Sequence, residues 1–367
     1  MLIETPLVDH HAHACTLAEL DLASLAGYLS ETPDVRADNS HLFGPLGLAV
    51  RRWCPPVLDL EPFCEWPAYV ARRSELGAAE ASRRLLGAAK VSTMLVDTGY
   101  RGSELCDLAT LSSLAGATTH EILRVETVAE LVKALAPPAE FWSRVEAHLR
   151  ATAAVGLKSV IAYRCGFGPL SEAPVQRSVD HAVERWYASD SDRCDDPLIE
   201  TNLVHLAARV GAELKLPLQL HVGLGDPDLT LHDVNPTLLT SLIRWHPDCT
   251  FALLHCWPFE RDSSYLATVF RNVVFDVGLA LNHVGPSAVA VMSRSLELAP
   301  FSRLLYSSDA FGVVELHLAG AEQFRRSLGA VLDGRLADGS CTTADADGIV
   351  TALATNNAMV TYPRLAD

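Results

Sequence analysis

The chain has 367 residues, 49% of them hydrophobic and 20% charged, and 45 acidic against 29 basic side chains give a formal net charge of −16. Such a composition builds a packed core and excludes a disordered chain, and so acidic a surface repels phosphate backbones, so no nucleic-acid partner is expected. No apolar run reaches membrane-spanning length and no leader peptide is read at the start, so no membrane partner is expected; nine scattered cysteines without a CxxC pair predict neither a disulfide framework nor a cysteine zinc site, and a cytoplasmic setting is expected.

Short apolar runs predict eight strands. In chain order they are Pro6-Leu7-Val8, Val91–Asp97, Glu121–Val125, Leu157–Tyr163, Pro217–His221, Thr250–His255, Asn272–Val277 and Arg303–Asp309. Helical stretches separate most of them. Asp196–Lys215 carries Leu198, Leu203, Leu206 and Val210 at roughly helical spacing, and Pro236–His246 has Pro236 in its first turn. Strands alternating with helices predict parallel βα units, and eight of them predict an α/β fold of the closed (β/α)8 type, a TIM barrel. An open doubly wound sheet would carry a glycine-rich phosphate loop after its first strand, and none is present. Residues 1–367 therefore read as one barrel with a large insertion at about 14–90, between the first two strands. Within it, Glu75–Lys90 reads as a helix. Ser30–Pro67 holds six prolines with Trp53, Phe63 and Trp66, too apolar for a solvated linker, and is expected to form a lid or a homo-oligomer contact.

The polar residues that carry chemistry fall at strand ends. His11 and His13 follow the first strand within Asp9-His10-His11-Ala12-His13, His221 ends the fifth, His255 the sixth and Asp309 the eighth. In an α/β barrel the C-terminal strand ends share one mouth. Side chains two apart share a strand face, so His11 and His13 can meet one cation while His10 points away. Imidazole and carboxylate donors suit zinc, and also manganese, iron or cobalt, and an ion with an open position activates water near neutral pH. A single HxH is commonplace, and each later histidine alone reads as an ordinary core or surface residue; the combination points to a metal. Arg164 is read either as a clamp for a substrate carboxylate or as half of a surface ion pair. Arg124 either binds substrate or pairs with Glu126, and Trp257 with Pro258 either walls the pocket or packs its loop. Asp226, Asp228, Asn282, His283 and Glu315 are weaker candidates, and His148, His181, His205 and His246 receive no functional reading.

The order DxHxH, a fourth-strand Lys, His, His and Asp resembles the amidohydrolase superfamily. Val8–His13, Leu157–Gly166, His221–Asp228, Leu254–Pro258 and Tyr306–Leu316 are similar to its amidohydrolase-2 branch, especially to the region joined to glutamine-synthetase-like domains in some fungal and plant proteins. The resemblance implies His11, His13 and His221 as metal ligands, and Asp309 as a ligand that also takes a proton from the attacking water. It implies that His255 polarises the scissile group or holds a second ion, and that Asp9 orients an imidazole. Lys158 is read as a carbamylated bridging ligand, as a buried cation paired with a carboxylate, or as a substrate-binding group. The implied enzyme holds one or two divalent ions, zinc foremost. It would cleave a C–N, amide-type bond of a small carboxylate-bearing substrate, with γ-glutamyl compounds as a refinement. Metal-assisted decarboxylation of a small carboxylic acid is the first alternative, and a non-catalytic scaffold the second. With no synthetase-like stretch in the 367 residues, activity is expected to be complete without one.

Overall fold

The computed structural model describes residues 1–32 and 40–366; residues 33–39, part of the proline-rich stretch after the first strand, lie outside the described residues. Seven strands follow in chain order: β1 (Leu7–Ala12), β2 (Val91–Asp97), β3 (Thr118–Arg124), β4 (Gly156–Ser159), β5 (Leu218–His221), β6 (Phe251–Leu254) and β7 (Val273–Phe275). Helices separate them, and the pairings β1–β2, β3–β4, β4–β5, β5–β6 and β6–β7 are parallel. This is the α/β plan of the TIM barrel. The chain divides into two compact units, residues 1–120 with 276–358, and residues 121–275 with 359–367.

In the first unit β1 is buried along its whole length, Asp9, His10 and His11 included. The connection from β1 to β2 forms helices Pro45–Val57, Trp66–Leu76 and Ala78–Ala89. The single helix expected over Glu75–Lys90 is thus split. Gly77 takes φ 78°, a left-handed conformation that a residue with a Cβ adopts at a cost, and one helix ends where the next begins. The apolar stretch before it sends Leu46, Val50, Cys54, Leu58, Trp66 and Tyr69 into the core. It is moored to the long helix Val314–Ala337, where Tyr69 Oη and Arg73 Nε each donate to Glu315 Oε1 at 2.9 Å, all three side chains being buried.

The run Arg303–Asp309, expected as an eighth strand, forms no strand. It still follows β1 through backbone bonds: His10 N–H donates to Tyr306 O (3.1 Å) and Asp309 N–H to His11 O (3.1 Å). The interruption is caused by a residue far away in the sequence. Ser308 N–H goes to the Asp9 carboxylate (2.9 Å), and Asp309 turns to φ 48°.

The second unit holds β4 to β7 and the helices Val125–Leu135 and Pro197–Leu214. The latter fits its expected span closely. Asp196 caps it by accepting from Leu198 N–H (2.9 Å), Pro197 occupies the first position, and Lys215 closes it in a left-handed conformation. The expected helix Pro236–His246 is a 3-10 turn, Pro236–Leu239, followed by a short helix, Thr240–Trp245. β4 stops at Ser159 instead of running to Tyr163. Val160 N–H is taken by the Glu126 carboxylate (2.8 Å), Ile161 N–H by Ser159 Oγ (3.1 Å), and a 3-10 turn follows over Ile161–Tyr163.

Candidate functional site

The first unit brings His11, His13 and Asp309 together. Asp309 Oδ1 lies 3.1 Å from His11 Nε2 and 3.6 Å from His13 Nε2. One donor atom from each residue falls within 4.8 Å of the others, and both histidines are buried. Two imidazole nitrogens and a carboxylate oxygen facing a common point form a set that fits a divalent ion.

Neighbouring groups hold this set in place. His13 Nδ1 lies 3.1 Å from Asp97 O, at the end of β2; with that nitrogen protonated, Nε2 is left to present its lone pair. Asp309 is a non-glycine residue with positive φ, a conformation that persists only when its surroundings enforce it. Asp9 supplies part of that enforcement, accepting from Ser308 N–H (2.9 Å) and Ser308 Oγ–H (2.6 Å). Asn282 Nδ2 donates to Ser308 O at 3.1 Å. The Asp9 side chain fixes the segment that carries Asp309 and also accepts from the backbone N–H of His11. Burial pushes the Asp9 carboxyl up to about 7, against the lowering effect of the Ser308 bonds.

His10 points away from the cluster, as the strand period requires, and its Nε2 lies 2.9 Å from buried Asp276 Oδ2. Burial is the largest influence and would raise the Asp276 carboxyl, but the His10 bond and charge together with bonds from Gly278 N–H and the Ser307 hydroxyl outweigh it, and the net shift is downward. Tyr100 and Phe311 each stand 5.8 Å, ring to ring, from His13, and Tyr28 lies 5.7 Å from Phe311. Sequence reasoning missed these rings, and it missed His317. That imidazole is fully buried, is driven down to about 3 by burial and then by His13, and has no hydrogen-bond partner among the described residues. Of the weaker candidates, Glu315 belongs to the Tyr69–Arg73 mooring and His283 pairs with Glu31 at 3.1 Å.

The second unit brings His221 and His255 together, with ring centroids 4.8 Å apart. His221 ends β5, and His255, just past β6, has φ 60°. Tyr163, also missed, sets its hydroxyl 2.9 Å from His221 Nε2. The 3-10 turn after β4 places it there. Gly225 makes room, since a Cβ at that position would lie 2.2 Å from the Tyr163 hydroxyl and 2.9 Å from His221 Nε2. Lys158 is buried within β4, beside Arg124 on β3 and Gln219 on β5. Arg164 Nη2 donates to Glu130 at 3.1 Å, so a carboxylate of the chain already answers its charge. Arg124 stands at the N-terminal end of helix Val125–Leu135. Glu126 Oε1 accepts from Ser159 Oγ–H (2.6 Å) and from Val160 N–H, partners that the sequence did not suggest. Trp257 is partly exposed and joined to Pro258 by a cis peptide bond; its carbonyl accepts from Leu224 N–H at 2.8 Å. Asp228 lies 3.4 Å from Arg193.

Comparison with known proteins gives three kinds of match. The family model described as amidohydrolase matches residues 173–364, just over half of the chain. Protein fluG of Emericella nidulans is 34% identical over 205 residues, 53% of this chain and 24% of that protein; the chain thus spans about a quarter of the length of this curated relative. A structure from Lactobacillus casei, described as a metal-dependent hydrolase, is 27% identical, covers 100% of this chain and 97% of its own, and superposes with a TM-score of 0.86. A uronate isomerase from Bacillus halodurans, at 15% identity, with 98% of this chain and 94% of its own covered and a TM-score of 0.66, shares the fold.

Proposed function

Because the chain belongs to the amidohydrolase family, we propose that it is a metal-dependent hydrolase that cleaves a C–N, amide-type bond of a small carboxylate-bearing substrate. The observation that carries this reading is the convergence of His11, His13 and Asp309 donor atoms within 4.8 Å. The donor set favours zinc. When bound, a divalent ion supplies Lewis acidity and makes water acidic enough to attack near neutral pH.

The chain's own residues supply the rest. His11 and His13 would hold the ion, and the Asp97 carbonyl keeps His13 in the tautomer that leaves Nε2 free to do so. The Asp309 carboxylate takes the proton released by the attacking water and passes it to the leaving nitrogen. Asp9 and Ser308 keep that carboxylate aimed at the two imidazoles. The roles of His221 as a further ligand and His255 as a polarising group rest on the sequence pattern, and the same is true of Lys158. Arg164 is assigned to the substrate carboxylate, which must compete with Glu130 for it.

Metal counting tests the assignment first. Purified protein should carry at least one divalent ion per chain, and the His11→Ala, His13→Ala double variant should lose it while keeping its helical content. Asp309→Asn should lower turnover by about 10²–10⁴-fold, the usual contribution of a general base. A screen of N-acyl and γ-glutamyl compounds should release amine with water consumed. Turnover confined to carbon dioxide release from aromatic acids would overturn the hydrolase reading in favour of a lyase.

A further inference from the structure

Cys15 and Cys106 are 91 positions apart in the sequence, yet their sulfurs lie 3.8 Å apart. Their backbones are joined directly, Cys106 N–H donating to Cys15 O at 2.9 Å. A bond of that kind holds the two backbones side by side, and a disulfide spans Cα atoms roughly 4.4–6.8 Å apart. Side-chain rotation with little backbone movement then suffices to join the sulfurs. Cys15 lies two residues beyond His13 and pairs with Gly312, three residues beyond Asp309. Cys106 lies on the loop that leaves β2 at Asp97, whose carbonyl faces His13 Nδ1, and that carries Tyr100 beside the His13 ring.

We propose that Cys15 and Cys106 form a reversible dithiol–disulfide couple that fastens the loop after β2 to the loop after β1 beside His13, so that access to the metal centre depends on redox state. The covalent link stands on the thiol geometry alone; its effect on access rests on the metal reading given above.

The two thiols are unequal, as such a couple requires. Cys15 is buried, whereas Cys106 is partly exposed and can meet an oxidant. A hydrogen bond from the Cys15 thiol draws the Cys106 thiol down to about 7, so much of it is thiolate near neutral pH. Burial pushes Cys54, Cys165, Cys194 and Cys249 upward, and Cys15 is raised too, first by its bond to the Cys106 sulfur, a bond that the mixed disulfide removes, so Cys106 reacts first. A low-molecular-weight disulfide is the oxidant. The Cys106 thiolate attacks one of its sulfurs, forming a mixed disulfide and expelling one thiolate. The Cys15 thiol then gives up its proton and attacks Cys106 Sγ, and the second thiolate leaves. Two protein thiols and one small disulfide become one protein disulfide and two small thiols.

The test uses the reduced full chain with its metal, incubated with glutathione disulfide, alkylated and mapped by peptide mass. The expected product is a Cys15 peptide linked to a Cys106 peptide, two hydrogens lighter than the free pair and restored by dithiothreitol. Cys15→Ser should stop at a glutathione adduct on Cys106, and Cys106→Ser should give neither product. Wild-type protein that yields only glutathione adducts, or other pairs, overturns the couple without reliance on any variant. Extraction of the ion by a chelator should be several-fold slower from the oxidised chain. Equal rates in the two states would refute the coupling to access, whereas absence of metal from both states would instead remove the metal reading.

Discussion

Asp9 shows how a residue outside the donor set can govern it. Its carboxylate takes both the N–H and the hydroxyl of Ser308, and the next residue is forced to positive φ with its own carboxylate between two imidazoles. Asp9→Asn removes the charge and turns one of the two acceptors into a donor, so the Ser308 hydroxyl can stay paired only by accepting instead of donating. Metal affinity should fall by about 10–100-fold, the usual effect of losing a group that orients a ligand; an unchanged dissociation constant by metal titration would refute this role. Gly225 offers a second test. Gly225→Ala drives a methyl group into the Tyr163 hydroxyl and His221, and should lower stability by about 1–3 kcal/mol in denaturant unfolding. Wild-type stability in that variant would mean that the Tyr163–His221 contact is loose. The clustering of His11, His13 and Asp309 was legible because they stand at the ends of apolar runs, where a barrel brings strand ends together. Tyr163, Tyr100, Phe311 and His317 were not, because an aromatic residue or a lone histidine carries no mark of the partner it meets.

At the scale of elements, one buried carboxylate ties the insertion to the rest of its unit. Glu315→Gln leaves the Arg73 guanidinium buried without its counter-charge and should cost about 3–5 kcal/mol, measured by urea unfolding. A loss under about 1 kcal/mol would show that water reaches Arg73 and answers its charge. Helix Pro197–Leu214 gives a pH prediction. His205 Nδ1 lies 2.9 Å from His246 Nε2, and burial, reinforced by His246, holds the His205 imidazole down at about 4. The unfolded chain binds that proton first, near its ordinary value of about 6.5. Its contribution to stability is therefore complete above that pH and declines as pH falls toward 4. His205→Gln should flatten this part of the stability-against-pH curve, and an unaltered slope would count against the assignment. The apolar runs showed where strands lie, and Asp196-Pro197 showed where a helix begins. Strand ends were harder to read. β4 and the run before Asp309 are cut short by Glu126 and Asp9, acceptors that lie 34 and 299 positions away from the N–H groups they capture. No local pattern records such a distance, whereas Gly77 marked its helix break in plain sight.

At the scale of the whole molecule, the metal should act as a folding ligand. An ion that binds the native chain alone stabilises it by about 2.7 kcal/mol at a free concentration one hundred times its dissociation constant. Chelation should lower the melting temperature of the wild type and leave that of the His11→Ala, His13→Ala variant unmoved; equal shifts in both would place the ion elsewhere. The insertion leaves Phe43, Leu48 and Phe63 exposed, Phe43 at 89%. We propose the insertion as a contact between copies, and Phe43→Ser with Phe63→Ser should reduce the mass measured by light scattering; a monomeric wild type would refute it. Among the described residues no helix is long and apolar enough to cross a membrane. The pairing of residues 9–13 with residues 308–309 also sets a timetable for synthesis. A ribosome adding roughly 5–20 residues each second needs about 15–60 s between His13 and Asp309. Throughout that interval the nascent chain carries two histidines whose acidic partner does not yet exist, and any ion they catch is held by imidazole alone. The three-residue cluster can form only once Asp309 has been added.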